Sequence, residues 1–214
     1  YALAVYREED GSLLDAEIAA VELINLLRPT VAVANYIVFA ALALHEHPEC
    51  RLRLAPVGGQ YSGRFDEEYL EWFAQEVRRF YPFFPVIGGR VIEPFTWRGR
   101  TYERGEWVLL DIYGTNHDGR SWEQPAIFQP ERFRAWHDSG YALIAQGGGE
   151  YANTHRCPGE PATVALIKSA VRLLTRAMSY DVPPQDLGID LSKMPALPKS
   201  KFVMRNVRRS GTVA

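Results

Sequence analysis

Residues 146–160 read Gln-Gly-Gly-Gly-Glu-Tyr-Ala-Asn-Thr-His-Arg-Cys-Pro-Gly-Glu. This stretch carries Cys157, one of two cysteines in the chain. An apolar run from Thr163 to Met178 follows, and its spacing predicts a helix. Pro158 suits the first helical position, because that position has no intrahelical donor to lose. Cys157 then sits just before a helix N-terminus, where partial positive charge favours a thiolate. Gly159 lacks a Cβ, so a flat ligand can come close to the backbone there. His155 and Arg156 add donors and positive charge beside the sulfur. A thiolate held this way can be a nucleophile, a redox thiol or a metal ligand. The bland alternative is a buried structural cysteine on a loop.

The second chemical feature is Arg28-Pro29, inside an apolar run that extends from Leu14 to Leu44. The run predicts one long helix, apolar nearly all round and so buried on most faces. Ser12 followed by Asp15 resembles a capping-box start. A proline within a helix removes a donor and costs roughly 3 kcal/mol or more. A guanidinium among apolar residues needs a partner. The pair is either a kink with an arginine reaching water, or a widened helix presenting a cation to an anionic ligand. Val31 to Leu44 is too short to span roughly 30 Å of hydrocarbon, and Arg28 interrupts the longer run, so no membrane span is expected.

Composition sets the frame. The chain has 214 residues, 47% hydrophobic and 23% charged, as expected of a globular domain or part of one. A net charge of −2 gives no reason to expect nucleic acid or an anionic membrane as partner. Two distant cysteines, Cys50 and Cys157, make no disulfide framework and fit a reducing, cytoplasmic setting. The chain opens almost directly into a buried-looking helix. It is therefore expected to be the C-terminal part of a single domain (residues 1–214), with an N-terminal part absent.

Residues 65–80 read as a second, amphipathic helix in which Glu76 and Arg79 share a face. Short strands are expected around Arg90 to Trp97 and Trp107 to Ile112, with turns at Gly99 and Gly105. An irregular stretch from Tyr113 runs through Pro130-Glu131-Arg132-Phe133 to the cysteine loop. Phe202-Val-Met-Arg reads as an edge strand, and Arg205 to Arg209 as a solvated tail. The fold class is thus mainly α with small β-sheets.

This ordered set resembles the C-terminal half of the cytochrome P450 superfamily. The matching signals are an E-x-x-R helix, small strands, a P-E-R-F meander, the loop His155-Arg156-Cys157-Pro158-Gly159-Glu160, and a final helix. Where the superfamily usually has phenylalanine seven residues before the cysteine, this chain has Glu150. Its triple glycine and Leu-Leu-Arg-Pro-Thr at 26–30 are similar to the fatty-acid peroxygenase branch, although Thr154 stands where close relatives often have glycine. The resemblance implies haem b with Cys157 as axial iron ligand, a thiolate that promotes O–O cleavage. Gly148 and Gly159 would lie beside the ring, and His155, with Arg90 as a further candidate, would reach the propionates. Glu76, Arg79 and Arg132 would form a structural ion-pair cluster. Oxygen-activating members carry an acid–alcohol pair where this chain has Arg28-Pro29. Arginine keeps its proton and proline has no hydroxyl. The implied substrates are a fatty acid, its carboxylate held by Arg28, and hydrogen peroxide. The implied reaction is α- or β-hydroxylation, or decarboxylation to a terminal alkene, with no dedicated reductase. The alternatives are a reductase-dependent haem monooxygenase and a haem-binding sensor without turnover.

Overall fold

The computed structural model describes residues 5–55 and 67–210. Residues up to Asn35 and residues from Tyr36 onward form two compact units. Helix α1, Ala16–Glu46, runs through both.

In the first unit, an antiparallel bridge between Arg7 and Leu13 closes a turn at Gly11. Asp15, rather than a Ser12–Asp15 capping box, starts α1. Its Oδ1 accepts from the N–H groups of Glu17 and Ile18 at 2.8 and 3.3 Å. That satisfies two of the donors a helix start leaves orphaned. The expectation that α1 is buried on most faces fails here. Ile18, Val21, Leu23, Ile24, Leu26, Leu27 and Val31 are each at least half exposed. Apolar composition makes a helix want a partner; it does not supply one.

In the second unit, the same helix is a core element. Tyr36, Phe39 and Ala40 to Leu44 are buried. α1 is long and apolar enough to cross a membrane, with mean hydropathy 1.6 in its most apolar window. The burial of Tyr36 to Leu44 inside protein makes that part a core helix instead. A short helix α2, Pro48–Leu54, follows. Helix α3, Glu67–Phe80, sets Leu70, Phe73, Ala74 and Val77 into the core with no exposure. Residues 65 and 66 of the expected helix lie outside the described residues.

The strands are shorter and differently joined than expected. β1, Val86–Arg90, pairs antiparallel with β4, Trp107–Asp111. Between them β2, Phe95–Trp97, pairs with β3, Arg100–Tyr102. The run from Arg90 to Trp97 is therefore two elements broken at Glu93-Pro94, since proline cannot donate to a ladder. Helix α4, Ile112–Asn116, is one turn capped by Asp111, whose Oδ1 accepts the Gly114 N–H at 2.7 Å. A 3₁₀ turn, Pro130–Ala135, forms the meander.

The last helix, α5, spans Glu160–Arg172 and passes into a π turn, Leu173–Ala177. Its first residue, Glu160, lies two positions after Pro158, the expected first helical residue, and three before the start of the apolar run at Thr163. Gly159 is the N-cap and the proline in the first turn is Pro161, not Pro158. Strand β5, Met178–Asp181, begins at Met178, where the expected helix ends, and pairs with β6, Arg205–Arg209. The basic tail is thus a strand, and the edge strand expected at Phe202 is not one. Every β6 residue is exposed, so composition alone gave no strand signal.

The two halves of α1 should respond unequally to truncation. Phe39→Ala, at 0% exposure, should lower unfolding stability by about 3–5 kcal/mol in a denaturant titration. Leu26→Ala, at 61% exposure, should change it by no more than about 0.5 kcal/mol.

Candidate functional site

The cysteine loop is folded back on itself by its glycines. Gly147 has φ +90°, and a Cβ there would lie 2.3 Å from the His155 carbonyl oxygen. Gly149 has φ +88°, and its Cβ would meet Thr154 at 2.7 Å. Both positions combine a left-handed backbone with a close approach, which only glycine tolerates. Thr154 then closes the loop, its hydroxyl within 2.8 Å of the Gly148 carbonyl and 2.7 Å of the Glu150 carbonyl. The two departures from the superfamily pattern, Glu150 and Thr154, therefore meet each other. Gly148 is packed rather than open: its Cβ would lie 2.8 Å from the Gly140 carbonyl and from Ile144.

Cys157 is a free, partly exposed thiol at the end of this loop. Its N–H donates to the Gln146 carbonyl at 2.9 Å, and its carbonyl accepts from the Glu160 N–H at 3.2 Å. It lies two residues before the N-cap Gly159. A Cβ on Gly159 would touch only the Cys157 sulfur, at 3.5 Å. The space beside Gly159 is thus open except for the sulfur. Among the described residues no group of three or more His, Cys, Asp or Glu side chains could hold a metal ion.

The positive charge expected beside the sulfur is already committed. Arg156 bonds Glu160 at 2.9 and 3.1 Å and Asp138 at 2.5 Å. His155 and Gly159 are exposed. Arg90 is held in its own hairpin, 3.3 Å from the Gly105 carbonyl and 4.7 Å above the Trp107 ring. Arg28 and Pro29 are exposed on α1 in the first unit. Next to them, the Thr30 hydroxyl donates to the Leu26 carbonyl at 2.8 Å.

Glu76, Arg79 and Arg132 come together. Arg79 grips Glu76 with two bonds of 2.7 Å, and Arg132 reaches it at 3.2 Å. Arg79 also donates to the carbonyls of Asn116, Pro125 and Ile127, and the Gln129 N–H reaches Glu76 at 2.8 Å. These contacts anchor the meander to α3. Sequence reasoning missed a second network on the same helix. Arg78, 1% exposed, donates to Gln146 at 3.0 Å, to Glu160 at 2.7 Å and to Gln75. The one local mark was a second arginine directly before the E-x-x-R arginine.

Burial pushes the Glu160 carboxyl upward, but the Arg156 hydrogen bond and the Arg78 charge outweigh it, and the carboxyl is held below its ordinary range. Tyr36 is the reverse case. Burial raises its phenol far above the usual value, and it donates to the Ala145 carbonyl at 3.2 Å.

Comparison with known proteins locates this arrangement. The family model for cytochrome P450 matches residues 8–184. Solved structures of cytochrome P450SP alpha with (R)-ibuprophen share 50% identity and a TM-score of 0.86, covering 99% of this chain and 50% of theirs. Cytochrome P450EX alpha with myristic acid shares 43% at TM-score 0.82, over 98% of this chain and 49% of its own. Cytochrome P450 OleT in complex with arachidonic acid shares 37% at 0.85, over 100% and 49%. Among curated proteins, cytochrome P450 4A11 of Homo sapiens is 27% identical over 95% of this chain and 41% of its own length. The chain spans about half the length of the solved structures that it matches.

Glu160 sets an acid limit on the loop. Its folded pKa lies below the unfolded value, so its contribution is complete above the ordinary glutamate range, about pH 4.3, and is lost as pH falls through the folded value. Glu160→Gln should lower the thermal midpoint at neutral pH. The gap to the parent should narrow as the buffer is taken below that range.

Proposed function

The chain belongs to the cytochrome P450 family, and from that premise we propose that it is the C-terminal part of a haem-thiolate peroxygenase acting on long-chain fatty acids. The observation that carries the reading is Arg28. It is exposed amid the apolar residues of α1 and, among the described residues, has no carboxylate partner. Two of the solved relatives are described with fatty acids, myristic acid and arachidonic acid. A guanidinium can hold a carboxylate by two charge-assisted hydrogen bonds, so the same acid class fits Arg28.

In this reading Cys157 would hold the iron of haem b through its thiolate. Gly159 leaves room beside the sulfur, Gly148 shapes the loop behind it, and His155 and Arg90 are candidates for the propionates. When bound, the haem supplies the oxidising chemistry, with the thiolate favouring O–O cleavage. Arg28 binds and orients the substrate. Pro29 excludes both a hydroxyl and a backbone donor at the adjacent position, and the Thr30 hydroxyl is engaged by its own helix. Positions 28 to 30 thus offer no proton donor of their own for peroxide. The substrate carboxylate held at Arg28 fills that role as acid–base group. A substrate held by its carboxylate is oriented by that end, which in this reading favours reaction at the α or β position. Decarboxylation to a terminal alkene would start from the same pose.

The exposed apolar side of α1 is covered, in this reading, by a polypeptide matching the half of the solved relatives that this chain does not span. The setting is cytoplasmic, and hydrogen peroxide replaces a dedicated reductase.

The test uses the chain together with that complementary segment, loaded with haem, given hydrogen peroxide and myristic acid. Hydroxy acid or alkene should form without a reductase. Arg28→Ala should lower turnover about a hundredfold or more, the usual scale for losing one preorganised donor. Cys157→Ala should abolish the thiolate-type band in the carbon monoxide difference spectrum. Turnover that requires a reductase, with peroxide inert, would sink the reading.

A further inference from the structure

We propose that Arg78 is a positioning residue for Cys157, a two-armed clamp that sets the cysteine loop against α3. The argument begins with which residues hold the cysteine backbone. The Gln146 carbonyl accepts the Cys157 N–H at 2.9 Å, and the Glu160 N–H donates to the Cys157 carbonyl at 3.2 Å. Those same two residues are the ones that Arg78 grips by their side chains. Its Nε donates to Gln146 Oε1 at 3.0 Å, and its Nη2 meets Glu160 Oε1 at 2.7 Å. The loop strand entering the cysteine turn and the helix leaving it are thus tied to one planar cation.

The geometry is specific to a fork. Arginine presents donors in fixed directions, and here its third arm is taken by Gln75 of α3 itself. Gln146 is fixed from the other side, since its Nε2 donates to Thr163 Oγ1 at 3.1 Å. Glu160 is likewise shared with Arg156. The guanidinium is 1% exposed, so water cannot replace either arm. Breaking a buried, charge-assisted bond leaves an uncompensated group, and the loop must open to rehydrate it.

The proposal rests on Cys157 being a haem ligand only in what the clamp is for; its geometry can be read without haem or peroxide. The first measurement is the rate at which a small thiol reagent labels Cys157 in the haem-free chain, with Cys50→Ala removing the other thiol. Arg78→Met should raise that rate about tenfold or more, the scale of one charged hydrogen bond. Arg78→Lys, which can reach one arm but not both, should fall between. Lys199→Met, which removes an exposed pair with Asp186, should leave the rate unchanged. The second measurement is the carbon monoxide difference spectrum of the haem-loaded protein. Arg78→Met should shift intensity from the thiolate-type band to the shorter-wavelength band of a lost or protonated thiolate.

A folded Arg78→Met chain that labels at the parental rate and keeps the parental spectrum overturns the proposal. So does a lysine variant indistinguishable from the parent. If Arg78→Met does not fold, Gln146→Leu removes one arm and leaves Glu160 in place; faster labelling supports the clamp and an unchanged rate overturns it. Failure of peroxide turnover would leave the labelling result standing, so the two readings fail separately.

Discussion

Three ionisable side chains within one turn of α3 are almost wholly buried: Glu76, Arg78 and Arg79 are 0%, 1% and 0% exposed. Taking a charge out of water costs several kcal/mol unless it is paired and hydrogen-bonded. Each of these groups therefore dictates where other parts of the chain must go. Glu76 and Arg79, three apart, share a face. They draw in Arg132, the Gln129 amide and three carbonyls of the irregular stretch. Arg78 is turned about a hundred degrees from Arg79 by helix geometry and draws in Gln146 and Glu160 instead. Leu70, Phe73 and Val77 hold the helix in the core. One helix thus fixes two segments that have little regular structure of their own. The meander is set by one charge cluster and the cysteine loop by the other.

This division explains what could be read in advance. Glu76 and Arg79 were legible because their spacing is local and the P-E-R-F segment supplied Arg132. Cys157 stands out in the sequence because its neighbours are unusual types at short range. Arg78 was not legible, since its two partners in the cysteine loop lie 68 and 82 positions away in sequence, and its one local partner, Gln75, does not point to them. Helix starts were misplaced for a related reason. Pro158 and Pro161 both suit a first turn, and only the loop closing through Glu160 decides between them. The β6 strand was hidden because a fully exposed edge ladder is built from backbone bonds, and five residues of mixed polarity carry no alternation.

Helix α1 shows the same limit from another side. Hydropathy gives it one value, yet its two halves differ completely in burial. Tyr36 to Leu44 packs against protein; Ile18 to Val31 does not. A hydrophobic period states which residues favour burial, and only tertiary contacts state which are buried. The length of the chain relative to its solved relatives, about half, matches that asymmetry without being visible in the pattern itself.

The arginines then divide by partner. Arg78, Arg79, Arg132 and Arg156 are largely buried, and each has a protein carboxylate: Glu160, Glu76, Glu76, and Asp138 with Glu160. Arg28 stands among apolar residues and, among the described residues, has none. While it faces water it needs none. Once the apolar side of α1 is covered, a lone guanidinium becomes as costly as any of the others, and arginine cannot escape by losing its proton. Each of those four meets that cost with a carboxylate. In the proposed reading, Arg28 takes its carboxylate from the substrate.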